Sequence, residues 1–265
     1  MRGRTNENYT RALNVASDVP FLSPDLLHFA SRPPHSQNTL FLHSKGNSPV
    51  STIVGYAQSD LKAGGTLITP QFASLDGANY DLNKIVAVGE DIVDNVEVQT
   101  LNAFGQTVSS YMWVDYLGET PCWMDNDSFA EAEGVSLAPG QGLWIFGSST
   151  NQGVQTAGKV GLEDVSVSLI SGASAVGNPF PVAVDLQDVV ALGDDIVDNV
   201  EIQTLNAFGQ TVGSYMWVDY LGETPCWMDN DSFEAADGVT VAPGQALWVF
   251  GTSTSQSICF PAPEL

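Results

Sequence analysis

Two short runs hold the residues best suited to chemistry. From Trp123 to Phe129 the chain reads Trp-Met-Asp-Asn-Asp-Ser-Phe, with Asp125, Asn126 and Asp127 side by side, and Asp229, Asn230 and Asp231 repeat them inside an identical run from Trp227 to Phe233. Alternating oxygen ligands on a turn are how hard cations such as calcium are held, so calcium is the cofactor this pattern could take. The run lacks the glycine and distal glutamate of an EF-hand loop, and an Asx-rich turn that satisfies its own backbone accounts for it as well. A second acidic cluster, Glu90, Asp91 and Asp94, recurs as Asp194, Asp195 and Asp198.

Aromatic residues lie close to these carboxylates. An extended run from Tyr111 to Tyr116 puts Tyr111, Trp113 and Asp115 on one face and Met112, Val114 and Tyr116 on the other. Exposed, Trp113, Tyr116 and Trp123, with their repeats Trp217, Tyr220 and Trp227, could stack on sugar rings; buried, they are core, with indole and phenol groups seeking local acceptors. Paired carboxylates could hydrolyse glycosides, and Asp115 with Glu119 or Asp125 with Asp127 are the nearest pairs in sequence.

What is missing narrows the chemistry further. All three histidines (His28, His35, His43) and all four arginines (Arg2, Arg4, Arg11, Arg32) fall within the first 43 residues. Beyond them no imidazole exists to serve a serine or cysteine nucleophile or to ligate zinc or copper. No guanidinium is there to clamp a phosphate, and no glycine-rich loop opens a helix, so nucleotide binding lacks its usual parts.

Charge divides the chain at the same place. The 265 residues carry a net charge of −23. From Gly46 onward, twenty-eight acidic residues face only Lys62, Lys84 and Lys159, a net −25, whereas the leading segment is slightly basic. So negative a body repels phosphate backbones and anionic membranes, which argues against nucleic-acid or lipid-headgroup partners. No apolar stretch is long enough to span a bilayer as a helix. Residues 1–47 read as a non-globular leader or linker broken by Pro20, Pro24, Pro33 and Pro34, without a recognisable signal peptide. Within it Ser23-Pro24 could open a helical turn or two. Three cysteines exclude a fully paired framework, leaving buried thiols or a Cys226–Cys259 bridge.

The elements that must position these residues come in duplicate. Residues 86–148 and 190–252 align at a shift of 104 with 51 of 63 positions identical. Within a unit the pattern is β throughout: Asn95–Asn102 alternates, a turn follows, and Thr107–Tyr116 returns as the second strand of an antiparallel hairpin. A short strand, a turn at Pro139-Gly140 and an apolar strand ending at Gly147 come next, repeated around Pro243-Gly244. Further strand-like runs start at Ser51, Gly65 and Asp164. This predicts an all-β chain of two tandem antiparallel β-sandwich or barrel-like units, residues 48–157 and 158–265, packed as a pseudo-twofold pair.

Gly177-Asn178-Pro179-Phe180-Pro181, followed some sixty residues later by Val241-Ala242-Pro243-Gly244-Gln245-Ala246-Leu247-Trp248-Val249-Phe250, resembles a β module of secreted bacterial surface proteins. That module has a Gly-Asn-Pro-aromatic-Pro run and closes with an Ala-Pro-Gly-Gln-Gly-Phe-Trp-Val-like strand. Leu137–Phe146 is similar, but Thr69-Pro70-Gln71-Phe72 stands where the first signature would be. The resemblance implies a sandwich-like fold, export to the cell surface and a largely uncharacterised role, and it carries no catalytic residue. The resulting expectation is a secreted or surface-displayed, non-enzymatic module with a structural, adhesive or ligand-presenting role. Its partner would be a carbohydrate or another surface protein. A calcium-dependent carbohydrate-binding module is the alternative, and a carboxylate glycosidase the third.

Overall fold

The computed structural model describes residues 10–12, 52–75, 77, 79–102, 105–115, 120–206, 209–219 and 224–264. The first unit holds β1 (Thr10–Ala12), β2 (Val54–Asp60), β3 (Gly64–Ile68), β4 (Tyr80–Asp81), β5 (Val86–Gly89), β6 (Glu97–Leu101), β7 (Thr107–Val114), β8 (Cys122–Asp125), β9 (Ser136–Leu137), β10 (Leu143–Gly147) and β11 (Gln152–Lys159). The second holds β12 (Val165–Ser168), β13 (Gly172–Gly177), β14 (Val184–Asp185), β15 (Val190–Leu192), β16 (Glu201–Leu205), β17 (Thr211–Val218), β18 (Cys226–Asp229), β19 (Thr240–Val241), β20 (Ala246–Gly251) and β21 (Ser257–Phe260). The fold is all-β, with antiparallel pairing between neighbouring strands and no α-helix among the described residues.

Each unit stacks a five-stranded sheet on a smaller one. In the first, β3-β10-β6-β7-β8 lies over β1-β2-β11-β5; in the second, β13-β20-β16-β17-β18 lies over β12-β21-β15. Period-two alternation aims the core. Val98 and Ile145 are fully buried, while their neighbours Gln99 and Trp144 turn to the outer face. Between the sheets Val98, Trp113, Trp123, Leu143 and Ile145 meet Ala57, Leu61, Ala87 and Val154. The second core repeats this around Trp217, Trp227 and Leu247.

The β6–β7 hairpin forms as expected, with a register shift at Thr100/Leu101 that recurs at Thr204/Leu205. The short strand before Pro139 pairs with β4 across the unit, not with β10. The segment at the expected boundary between units is a strand: β11 is central in its sheet, between β2 and β5, and runs to Lys159, past the boundary at 157. Of the leader, Thr10–Ala12 pairs along β2 opposite Gly55–Ala57, and the turn at Ser23-Pro24 lies outside the described residues.

The Asn178-Pro179-Phe180 signature proves to be a structural latch. Asn178 is fully buried; its Nδ2 donates to the carbonyls of Val182 (2.7 Å) and Val241 (3.1 Å), and its Oδ1 accepts the Phe180 N–H (3.0 Å). In the first unit Tyr80 ties β4 to β11, its hydroxyl donating to the Ala157 carbonyl and accepting the Ala157 N–H, each at 2.9 Å. Burial pushes that phenol up to about 12.

The units touch through reciprocal contacts. The Thr69 N–H donates to the Gly244 carbonyl (3.0 Å) and the Gly177 N–H to the Gly140 carbonyl (2.9 Å). The single bridges Ile68–Gln245 and Gln141–Val176 mirror each other likewise. At the centre Trp144 and Trp248 lie 6.5 Å apart at 59°. Gly105 and Gly209, both at positive φ, sit under the opposite unit's indole, where a Cβ would come within 2.7 Å of Trp248 and 2.8 Å of Trp144. Leu67, Leu101, Ala175, Ala246 and Leu205 complete this small third core.

Candidate functional site

The four tryptophans singled out for stacking are core residues. Trp113 and Trp123 are 3% and 0% exposed, and Trp217 and Trp227 are 4% and 0% exposed. Each pair is T-shaped with ring centroids 5.1 Å apart. The Trp123 indole N–H donates to the Ile85 carbonyl at 2.7 Å and the Trp227 N–H to Val189 at 2.6 Å. No face of these rings is open to a sugar, so the stacking reading is corrected to packing: the inward half of the Tyr111–Val114 alternation carries Trp113 into the core. Tyr116 and Tyr220 lie outside the described residues.

The Asp-Asn-Asp run is a self-satisfied turn. Asp125 Oδ1 accepts from the Asp127 N–H (3.1 Å), the Ser128 N–H (2.7 Å) and the Ser128 hydroxyl (2.9 Å). These donors, Ser128 N–H first, hold the exposed carboxyl below its ordinary value. Asp229 is lowered in the same way, by the N–H groups of Ser232 and then Asp231. Asp91, Asp94, Asp195 and Asp198 stand singly at left-handed turn positions. Among the described residues no three acidic, histidine or cysteine side chains converge on a point that could hold a metal ion. The expected calcium set of Asp125, Asn126, Asp127, Asp229, Asn230 and Asp231 is thus divided: the first aspartate caps the turn and the asparagine points elsewhere. Of the proposed carboxylate pairs, Glu119 lies outside the described residues, and Asp125 and Asp127 share one exposed turn instead of flanking a cleft.

The asparagine leads to an array that the sequence reading missed. Asn126 Nδ2 donates to Ser110 Oγ (2.6 Å), which donates to Glu97 Oε1 (2.6 Å). The same oxygen accepts Gln99 Nε2 (2.7 Å), and Gln99 Oε1 accepts Thr107 Oγ1 (2.7 Å). In the second unit Asn230, Ser214, Glu201, Gln203 and Thr211 form the same ladder. These side chains stand on the outer face of the five-stranded sheet. Beside them on β10 are half-buried Trp144 and Phe146, 6.0 Å apart and tilted by 32°, paired in register with Gln99 and Glu97. The signal was present: Glu97-Val98-Gln99 and Trp144-Ile145-Phe146 alternate so that buried Val98 and Ile145 force their neighbours outward.

Two related clefts open between the units. One, of about 610 Å³, is lined by β12, β13 and the turns around Asn102 and Pro139; the other, of about 340 Å³, by Asp60, Lys62, Thr66, Asn206 and Pro243. Phe129 and Phe233 stand 70% exposed at φ +57°, closing the Asp125 and Asp229 turns in a conformation bulky residues rarely take. Cys122, Cys226 and Cys259 form no disulfide and are half-buried, so the Cys226–Cys259 bridge is absent and the thiols are less enclosed than expected. Burial first, then the Asp164 charge, raises the Cys259 thiol. Comparison of the chain with protein-family models, curated proteins and solved structures finds no match.

Proposed function

We propose that the chain is a non-enzymatic module of a secreted or surface-displayed protein, and that its work is to present a surface: structural, adhesive or ligand-holding. The observation that carries this reading is the duplicated outer-face ladder, Asn126–Ser110–Glu97–Gln99–Thr107 and its second-unit counterpart. It is a regular, hydrogen-bonded array on the outer face of each five-stranded sheet, in a stretch of chain that carries no histidine or arginine beyond residue 43. A cleft with two opposed carboxylates, which glycoside hydrolysis needs, is not what this array offers.

Half-buried Phe146, beside the ladder and opposite Glu97 in register, favours carbohydrate as the ligand, with the neighbouring Trp144 ring held against Trp248. An aromatic edge for the C–H face of a sugar and amides for its hydroxyls are the usual components of such platforms. Calcium is not needed by this reading. The test is binding to a panel of soluble and insoluble polysaccharides, with chromogenic glycosides assayed alongside. The reading expects binding that chelator leaves intact and that Phe146→Ala with Phe250→Ala reduces at least tenfold at unchanged Tm. Hydrolysis of any glycoside, abolished by a single carboxylate-to-amide substitution, would overturn it.

A further inference from the structure

β12 leaves one edge unpaired among the described residues, and that edge lines the larger inter-unit cleft. The Leu169 N–H donates to the Gln256 carbonyl (2.8 Å), and Val165 to Ser168 pair antiparallel with Phe260 to Ser257. Backbone groups alternate sides along such a strand, so those of Val165 and Val167 address β21, and those of Ser166 and Ser168 turn into the cleft. A row of outward N–H and C=O groups is a template for one more strand.

The other unit already fills the corresponding edge. There β1 lies antiparallel along β2, with Arg11 opposite Tyr56, and by the pairing of β2 and β12 with β11 and β21 Tyr56 corresponds to Asp164. Among the described residues one chain has two such edges and a single N-terminal strand. The edges also differ. The cleft at β12 includes Asp164 and no lysine or arginine in its lining, whereas at β2 Lys62 offsets Asp60. A strand carrying Arg11, with Arg4 upstream, is therefore favoured by charge at β12.

We infer that the β12 edge accepts, by β-augmentation, the N-terminal strand of a second copy of this chain, released from that copy's own β2. The contact is heterologous, strand of one copy to cleft of the next, so it propagates head to tail. Main-chain hydrogen bonds hold it, and the attraction between a basic segment and a body of −25 guides it.

The test is sedimentation velocity of the full chain over a concentration series, at low and high salt. The inference expects association that grows with concentration, weakens in high salt, and is lost in Ser166→Pro, which removes one cleft-facing N–H and leaves the β21 ladder alone. It expects the same loss in Arg4→Glu with Arg11→Glu. A synthetic peptide of residues 4–17 should dissociate the assemblies, and the same peptide N-methylated at alternate residues should not, a comparison that leaves the protein itself unaltered. A chain that stays monomeric to its highest soluble concentration, or association indifferent to both Ser166→Pro and the peptide, would overturn it.

Discussion

Trp123 illustrates what single residues do here. Its ring is fully buried and its N–H is satisfied by the Ile85 carbonyl, so Trp123→Ala removes packing and orphans an acceptor together. A loss of about 3–5 kcal/mol in urea-monitored unfolding is expected, and Trp227→Ala should match it. Asp125 and Asp229 act through pH instead. Their folded-state carboxyls lie below the ordinary 3.8, so the stabilisation they lend is present above that value and is lost as pH falls through their lowered values. Asp125→Asn with Asp229→Asn should therefore flatten the acid limb of a Tm–pH curve, and calcium should raise the wild-type Tm no more than ionic-strength-matched sodium. Residue types announced a turn or a cation site at this run. Which it was depended on where the Ser128 N–H points, a fact of backbone geometry that no spacing encodes.

At the scale of elements, alternation was the readable signal and pairing partners were not. The β6–β7 hairpin follows from alternation around a turn. By contrast β11 has a mixed burial pattern and three small residues, Gly153, Ala157 and Gly158, because Cβ atoms at the glycines would meet Ser59 and Ala73 backbone oxygens. That composition resembles a linker, although close backbone approach is the cause. Gly158→Val should consequently cost stability out of proportion to its glycine-rich setting, since a Cβ there lies 2.3 Å from the Ala73 oxygen. At the opposite extreme, β1 is an edge strand of three residues. Removing residues 1–46 should lower Tm by no more than about 2–4 °C, read by circular dichroism.

The whole molecule is two repeats clasped about a pseudo-twofold centre, and this is the claim on which the rest depends. The repeat itself was plain in the sequence. The clasp was not, because Gly105, Gly140 and Trp144 look like ordinary turn and strand residues until the second unit is set against them. Each of the contacts Thr69–Gly244 and Gly177–Gly140 answers the other, and each indole covers a glycine of the opposite turn. Scanning calorimetry of the intact chain tests this most directly. One transition is predicted, with calorimetric and van't Hoff enthalpies in agreement, and Gly105→Val with Gly209→Val should split or broaden it by forcing a Cβ into each indole. Two independent transitions in the wild type, or a double variant with an unchanged single peak, would contradict the account.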